Sequence, residues 1–300
     1  MKNVLVVYYS QSGQLKDIAQ NIALPFLNDD EIRLDFYAIE PQNDFPFPWD
    51  NASFFGVFPE TFRQIPQEIK IPPQNILTTD YDLILFHYQV WFLSPSLPVT
   101  SFLKSSYAGE ILKNKAVVTI NGSRNMWALA QEKVKKLLAE NQAHLVGNIA
   151  LTDRNINLVS VVTIVDWLFS GIKRKAYGIF PLPGVSDKEI KESSKFSEII
   201  KKYLKSNDYN EMQPALIANG AVEFRWFLIS MDKKANKMFK AWSTLILKFP
   251  GQRVFLLKCF KVYLFIAIWI LSPIVHLIEL ILYPLRYFSI QKQKKYHQGI

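Results

Sequence analysis

An open, doubly wound α/β sheet of five parallel strands, in the spatial order 2-1-3-4-5, is the fold the sequence predicts, and three observations predict it. Short, uninterrupted apolar runs recur along the first half of the chain, as strands buried on both faces do. Stretches of helical period separate them, which calls for right-handed crossovers between parallel strands. One strand, the second in sequence, alternates apolar with polar residues and so belongs at an edge, where that order puts it.

Taken in order, Val4 to Tyr9 is the first run, followed at once by the turn Ser10-Gln11-Ser12-Gly13. Leu15, Ile18, Ala19, Ile22 and Ala23 then form one apolar helix face that Pro25 should stop. Ile32, Leu34, Phe36 and Ala38 make the half-exposed edge strand. Leu83 to Phe86, Ala116 to Ile120 and Leu145 to Leu151 are the remaining strands, with helices expected over Val99 to Leu112, Trp127 to Asn141 and Ser186 to Leu204. Two long segments break the rhythm. Residues 40 to 79 are rich in Pro and aromatics, and residues 152 to 185 are apolar without a clear period. Their Phe, Trp and Ile content argues against disorder, so they read as walls or lids of an apolar pocket, or as covers for the sheet edges.

With 49% apolar and 20% charged residues among 300, the chain can bury the core of one or two domains, and it is neither disordered nor a disulfide scaffold. Its single Cys259 lies beside Lys258 and Lys261 with no histidine near it, which disfavours a nucleophilic role. His87, His144, His276 and His297 show no metal-ligand spacing, so no metal site is expected. The formal charge of +9 is uneven: +1 over residues 1 to 205 and +8 over residues 206 to 300. The division therefore falls between a near-neutral domain (1 to 205) and a basic, apolar helical tail (206 to 300). Seventeen uncharged residues from Val262 to Ile278 point that tail toward membrane lipid rather than nucleic acid. Val4 to Tyr9 is too short for a signal-peptide core, so the expected location is the cytoplasmic face of the inner membrane.

A strand that ends in Ser-x-Ser-Gly before a helix offers hydroxyls and unpaired N–H groups to a phosphate, although any tight turn uses the same residues. Beyond that, Tyr8 to Ala19 (YYSQSGQLKDIA) resembles the phosphate loop of flavodoxins, and YDLILFHYQVWFLSPSLPVTSFL resembles the second flavin loop of flavodoxin-like oxidoreductases. The resemblance covers residues 1 to 205 apart from the two insertions. It implies a flavodoxin-like fold and FMN, with Ser10, Gln11, Ser12, Gly13, Gln14 and Leu15 around the phosphate. Gln89, Val90, Trp91 and Phe92 would line the isoalloxazine, with an aromatic ring stacked on it. Asn121, Gly122, Ser123, Asn125 and Trp127 would supply a third loop. Leu15 stands where the family usually has a hydroxyl residue. For proton handling, His87 at the end of the third strand is the first candidate, with Tyr88 and Arg124 secondary and Arg124 suited to an enolate or phenolate oxygen.

In the tail, Lys233, Lys234, Lys237 and Lys240 share one helix face opposite aromatic and aliphatic residues, the pattern of an interfacial helix spanning about Glu223 to Phe249. Val262 to Ile278 contains eleven Val, Ile, Leu or Phe residues, which favour insertion by roughly 3 to 7 kcal/mol. At about 1.5 Å per residue the run falls short of a roughly 30 Å bilayer core. A true span, a monotopic anchor and a helical cap over the pocket all remain open.

FPFPWDNASFFGVFPETF and the EFRWF segment at Glu223 to Phe227 are, further, similar to the bacterial dialkylresorcinol biosynthesis family. That resemblance implies an FMN-dependent aromatase, converting a long-chain 2,5-dialkylcyclohexane-1,3-dione made by a separate ketosynthase, itself a possible partner, into a dialkylresorcinol. The sequence equally admits a membrane-associated NAD(P)H:quinone reductase, a tethered electron-transfer flavodoxin, or a scaffold that docks the ketosynthase.

Overall fold

The computed structural model describes residues 1–300. Five parallel strands form the sheet: β1 (Lys2–Tyr8), β2 (Ile32–Ala38), β3 (Leu83–Tyr88), β4 (Ala116–Ser123) and β5 (His144–Thr152), in the order β2-β1-β3-β4-β5. This is the flavodoxin-like arrangement, with the alternating strand β2 at the edge. β3 is buried along its whole length, so consecutive side chains must enter opposite cores. Leu83 and Leu85 join α1 (Gln14–Leu27) and Phe196, Ile200 and Leu204 on one face. Ile84, Phe86 and Tyr88 join Val99, Phe102, Val134 and Leu138 on the other.

Several elements depart from the sequence expectation. α1 runs two residues past Pro25 to Leu27; a proline in the last turn removes one hydrogen bond without a following turn to disrupt. The first insertion holds three short helices, α2 (Asn51–Gly56), α3 (Phe58–Arg63) and α4 (Gln74–Thr78). The helix expected over residues 99 to 112 is two, α5 (Leu97–Leu103) and α6 (Ser106–Leu112), because the Ser105 hydroxyl caps the second by accepting from Ala108 N. α7 (Ala128–Glu140) follows β4. The second insertion is mainly α8 (Asn157–Ser170), ended by Gly171 in the left-handed conformation. The helix expected over residues 186 to 204 is again split, into α9 (Asp187–Glu192) and α10 (Ser194–Ser206), around buried Ser193.

The chain stays with the sheet beyond residue 205. Met212 and Leu216 of α11 (Met212–Ala218) belong to the core of the α1 face. Ala221 O accepts from Ala150 N, and Val222 bridges the sheet edge in parallel with Ala150. α12 (Trp226–Lys248) comes next. Its lysines are exposed as the sequence pattern requires, but its apolar face is not left for a bilayer. Phe239 and Ile246 pack with Phe58 and Phe62 of α3 and with Leu256 and Phe260 in a third core. Those last two residues belong to α13 (Arg253–Ile266), which continues through a π-helical turn at Ala267–Leu271 into α14 (Ser272–Gln298). From Pro250 to Gln298 this is one helix long and apolar enough to cross a membrane, with few of its most apolar residues buried in the protein.

Candidate functional site

The ends of β1, β3 and β4 meet where the strand order changes direction, the place at which open α/β sheets form ligand crevices. A cavity of about 930 Å³ opens there, and 21 of its 33 lining residues are apolar. That is near the upper end of roughly 300 to 1,000 Å³ for small-molecule pockets, enough for more than one ligand. Gln11, Ser12, Gln14 and Leu15 contribute from the first loop, Gln89 to Phe92 from the second, and Gly122, Ser123 and Arg124 from the third. Trp49, Phe54 and Phe55 come from the first insertion and Val161, Val162 and Ile164 to Ser170 from the second, while Lys261, Leu264, Phe265, Ile268 and Trp269 bring the tail to the wall. Both insertions and the tail are thus pocket walls as well as covers.

At the first loop, Gly13, the residue before α1, has φ +90°, a conformation that a Cβ would strain. The N–H groups of Gln11, Ser12 and Gly13 meet no acceptor in the chain, and the helix N-terminus adds its positive end. Ser10 Oγ accepts from Lys16 N at 3.1 Å, which fixes the loop to the helix. Gln11 is held by Tyr9 OH and donates to Pro46 O at 2.7 Å. Gln14 has its side chain anchored: its Nε2 donates to Val185 O and its Oε1 accepts from Val185 N, each at 3.0 Å. Leu15 is buried and presses on Gly122, where a Cβ would fall 2.7 Å from Leu15 Cδ1. The residue in place of the third hydroxyl is therefore a core contact.

The second loop is a ribbon of Val90–Trp91 with Ser94–Pro95, closed by Phe92 (φ +46°) and Leu93 (φ +59°). Two positive φ values suit the twist of a two-residue hairpin, but without glycine they cost conformational energy. Packing holds them: Phe92 sits 5.0 Å from the Phe54 ring and 5.3 Å from Phe58, and Leu93 is in the third core. Trp91 is half-buried among Tyr9, Phe45 and Trp49, all edge-on at 5.2 to 6.0 Å. Burial beside Asp44 raises the Tyr9 phenol well above its usual range, so it stays a neutral donor.

On the third loop, Arg124 donates to Asn157 Oδ1 at 2.8 Å and to Asn157 O at 3.3 Å. Desolvation lowers its guanidinium to about 10, with Asp153 opposing the shift, so it remains a cation at neutral pH. Asn121 to Ser123 form the end of β4 rather than a loop. Gln89 and Ser123 are lining residues whose Nε2 and Oγ are buried without a protein partner, and neither amide atom of buried Asn121 has one. Polar groups orphaned beside an apolar cavity are suited to a ring with polar edges.

Several expected residues lie off the cavity. His87 is fully buried within the sheet; its Nδ1 is 3.0 Å from Leu85 O, and burial pushes it down to about 4, which keeps it neutral. Tyr88 lies on the opposite face, where its hydroxyl donates to Gln131 Oε1 at 2.7 Å and Gln131 donates on to Thr119. Trp127 belongs to the core of the α1 face, while Asn121 and Asn125 sit behind the wall, Asn125 donating to Asn157 Oδ1 at 3.0 Å. Strand alternation explains both His87 and Tyr88: a strand buried on both faces directs its last side chains into the cores, whereas Gln89 is past its end. The lining from α8 had no signal beyond its apolar composition.

No protein-family model matches the chain, and no curated protein matches it. Solved structures do. One is a flavoprotein in complex with FMN from Lactobacillus acidophilus NCFM, 18% identical, covering 50% of this chain and 93% of that one with a TM-score of 0.39. A structure assigned as a flavoprotein from Bacteroides eggerthii DSM 20697 is 21% identical over 52% of this chain and 91% of its own, TM-score 0.40. Another so assigned, from Bacteroides uniformis ATCC 8492, is 16% identical over 58% and 99%, TM-score 0.40.

Proposed function

We propose that the cavity binds FMN and that the protein is a flavin-dependent oxidoreductase that aromatises a long-chain 2,5-dialkylcyclohexane-1,3-dione to a dialkylresorcinol. One observation carries the reading. The same cavity joins unpaired N–H groups at a helix N-terminus, residues with orphaned polar groups at the ends of β3 and β4, and an aromatic and aliphatic volume too large for a cofactor alone.

The residues fit such a cofactor. The N–H groups of Gln11, Ser12 and Gly13 with the Ser12 hydroxyl would hold its phosphate, and Gln89 and Ser123 would meet ring edges beside Trp91. Bound FMN would supply the two-electron acceptor that removal of hydrogen from the dione requires. Arg124 holds the substrate oxygen. A cyclic 1,3-dione is a vinylogous acid, so it reaches this cation as an enolate and is oriented by the N–H groups that Asn157 leaves free. Desaturation also takes a proton from C4, beside a carbonyl, as hydride leaves C5; the lining has no histidine, and its single carboxylate, Asp166, paired with Arg174 at 2.9 Å, would receive that proton. Phe54, Phe169, Phe265 and Trp269 exclude water and offer the alkyl chains an apolar surface.

The test is the visible spectrum of the full-length protein in detergent, followed by anaerobic addition of a synthetic dialkylcyclohexanedione. Flavin bleaching with one resorcinol formed per flavin supports the reading. Bleaching by NAD(P)H but not by the dione would move the protein to quinone reduction, and a protein that takes up no FMN would end both readings.

A further inference from the structure

We propose that the protein is monotopic: the apolar middle of the Pro250–Gln298 helix is seated in one leaflet of an anionic bilayer, with the cavity mouth opening into that leaflet. Length alone would allow a span. Residues 262 to 288 at about 1.5 Å each extend roughly 40 Å, more than a hydrocarbon core of about 30 Å. The attachments of the helix decide otherwise.

Its first turns are fixed to the globular body. Arg253 makes a two-point contact with Glu60 at 2.8 and 2.7 Å and donates to Gly56 O at 2.7 Å. Lys261 reaches Asn51 at 2.8 Å, and Phe260 stacks on Phe58 at 3.8 Å. Its last turns return to the same body. Gln213 donates to Gln298 O at 2.8 Å, Tyr296 OH donates to Glu132 at 2.8 Å, and Lys233 donates to Gln293 at 2.7 Å. Between these ends, buried Glu279 accepts from Ser230 of α12 at 2.8 Å, pairs with Arg286 at 2.7 Å and also binds Lys234. A helix with both ends and its waist on one folded body cannot carry one end across a bilayer.

The surface left over has a defined occupant. From Val262 to Leu285 the only formal charge is Glu279, and it is turned inward. Ile270, Ile274, Leu277, Ile281, Leu285 and Phe288 are half-exposed or more, with Phe288 at 86%. Such a contiguous apolar face exceeds what a soluble monomer normally shows. Exposed Lys258 precedes it and Lys292, Lys294 and Lys295 follow it, so cations bracket the apolar stretch as anionic headgroups require. The cavity shares this surface. Val165, Tyr177, Phe265 and Trp269 both line the cavity and stand exposed at its rim, at 46, 81, 64 and 38%. Ile172 and Ile179 extend the apolar rim on the α8 side. A molecule dissolved in the leaflet by an alkyl chain therefore meets the cavity without passing through water.

Topology labelling tests the seating in full-length protein, with readouts that do not use activity and so stand or fall apart from the flavin reading. With Cys259→Ser as background, Asp30→Cys and Ile300→Cys are each exposed to a membrane-impermeant maleimide in sealed, inverted membrane vesicles. Equal labelling of both positions is expected. Labelling of position 30 with protection of position 300 would overturn the monotopic seating. In phosphatidylglycerol vesicles with brominated acyl chains, native tryptophan fluorescence should be quenched, and Trp269→Phe should lose a measurable part of that quenching. Quenching undiminished in the variant would remove the mouth from the leaflet. Failure to bind the vesicles, with dimers forming instead, would assign the face to a second copy.

Discussion

Gly122 and Leu15 share one space, and only their sum fits it. A methyl group at 122 would lie 2.7 Å from Leu15 Cδ1 and 3.0 Å from Ile18 Cδ1, so Gly122→Ala should overpack the α1 face and cost about 1 to 3 kcal/mol. A urea-unfolding midpoint unchanged from the parent would refute this. Pairing the change with Leu15→Ala should return part of the loss, because the two contacts are one. Trp91 has a different part: three rings meet it edge-on, each such pair worth about 0.5 to 1.5 kcal/mol, so Trp91→Ala should loosen the pocket wall as well as empty it of an aromatic face. Lower stability together with loss of bound flavin from the purified variant is expected. The Leu15 case also shows what sequence reading could not see: a missing hydroxyl in a loop motif looks like a weakened site until the glycine packed against it, 107 positions away, is known.

α12 is held to α7 by a buried carboxylate with a pH signature. Asp232 Oδ2 accepts from Leu129 N at 3.0 Å, at the positive end of α7, while its other oxygen has no partner. Burial pushes its carboxyl up to about 7, ahead of the lowering effect of the Leu129 N–H and Lys133. The folded state therefore retains a proton that the unfolded chain releases near the ordinary aspartate value, and stability falls as pH rises from about 4 to 7. His87 opposes it, since a folded value near 4 makes stability rise over about 4 to 6.5. Asp232→Asn should gain stability relative to the parent as pH goes from 4.5 to 7 in thermal melts; a constant difference would refute the assignment. At this scale the strands were legible because β1, β3 and β4 are apolar on both faces, a pattern few other environments produce. The helix breaks at Ser105 and Ser193 were not: Ser105 becomes a cap only because the chain turns there, and Ser193, whose hydroxyl donates back to Ile190 O, marks a break without capping the next helix. His87 and Tyr88 were misplaced for the opposite reason: the apolar run at Leu83 to Phe86 hid how far the strand, and with it burial, would continue.

The tail is part of the molecule's core as well as its surface. Phe58, Phe62, Phe239 and Ile246 are buried only with Leu256 and Phe260 beside them, so deletion of residues 250 to 298 should give aggregated protein rather than a soluble domain. A monodisperse truncated protein with unchanged circular dichroism would contradict this. Charge asymmetry and hydropathy in the sequence located the tail, but α12 shows their limit: an amphipathic helix reads the same whether its apolar stripe meets lipid or α3. What the pattern lacks is the partner, and here the partner lies in an insertion with no helical period long enough to announce itself. One further contact reaches across the whole chain. The Gln14 side-chain amide pairs with both backbone groups of Val185, and Gly184 leaves just enough room for it. The first loop is thereby clamped to the end of a segment that carries exposed Arg174 and Lys175. Occupancy of that loop should be readable as slower tryptic cleavage at those two residues, a fingerprint that requires no chromophore and no turnover.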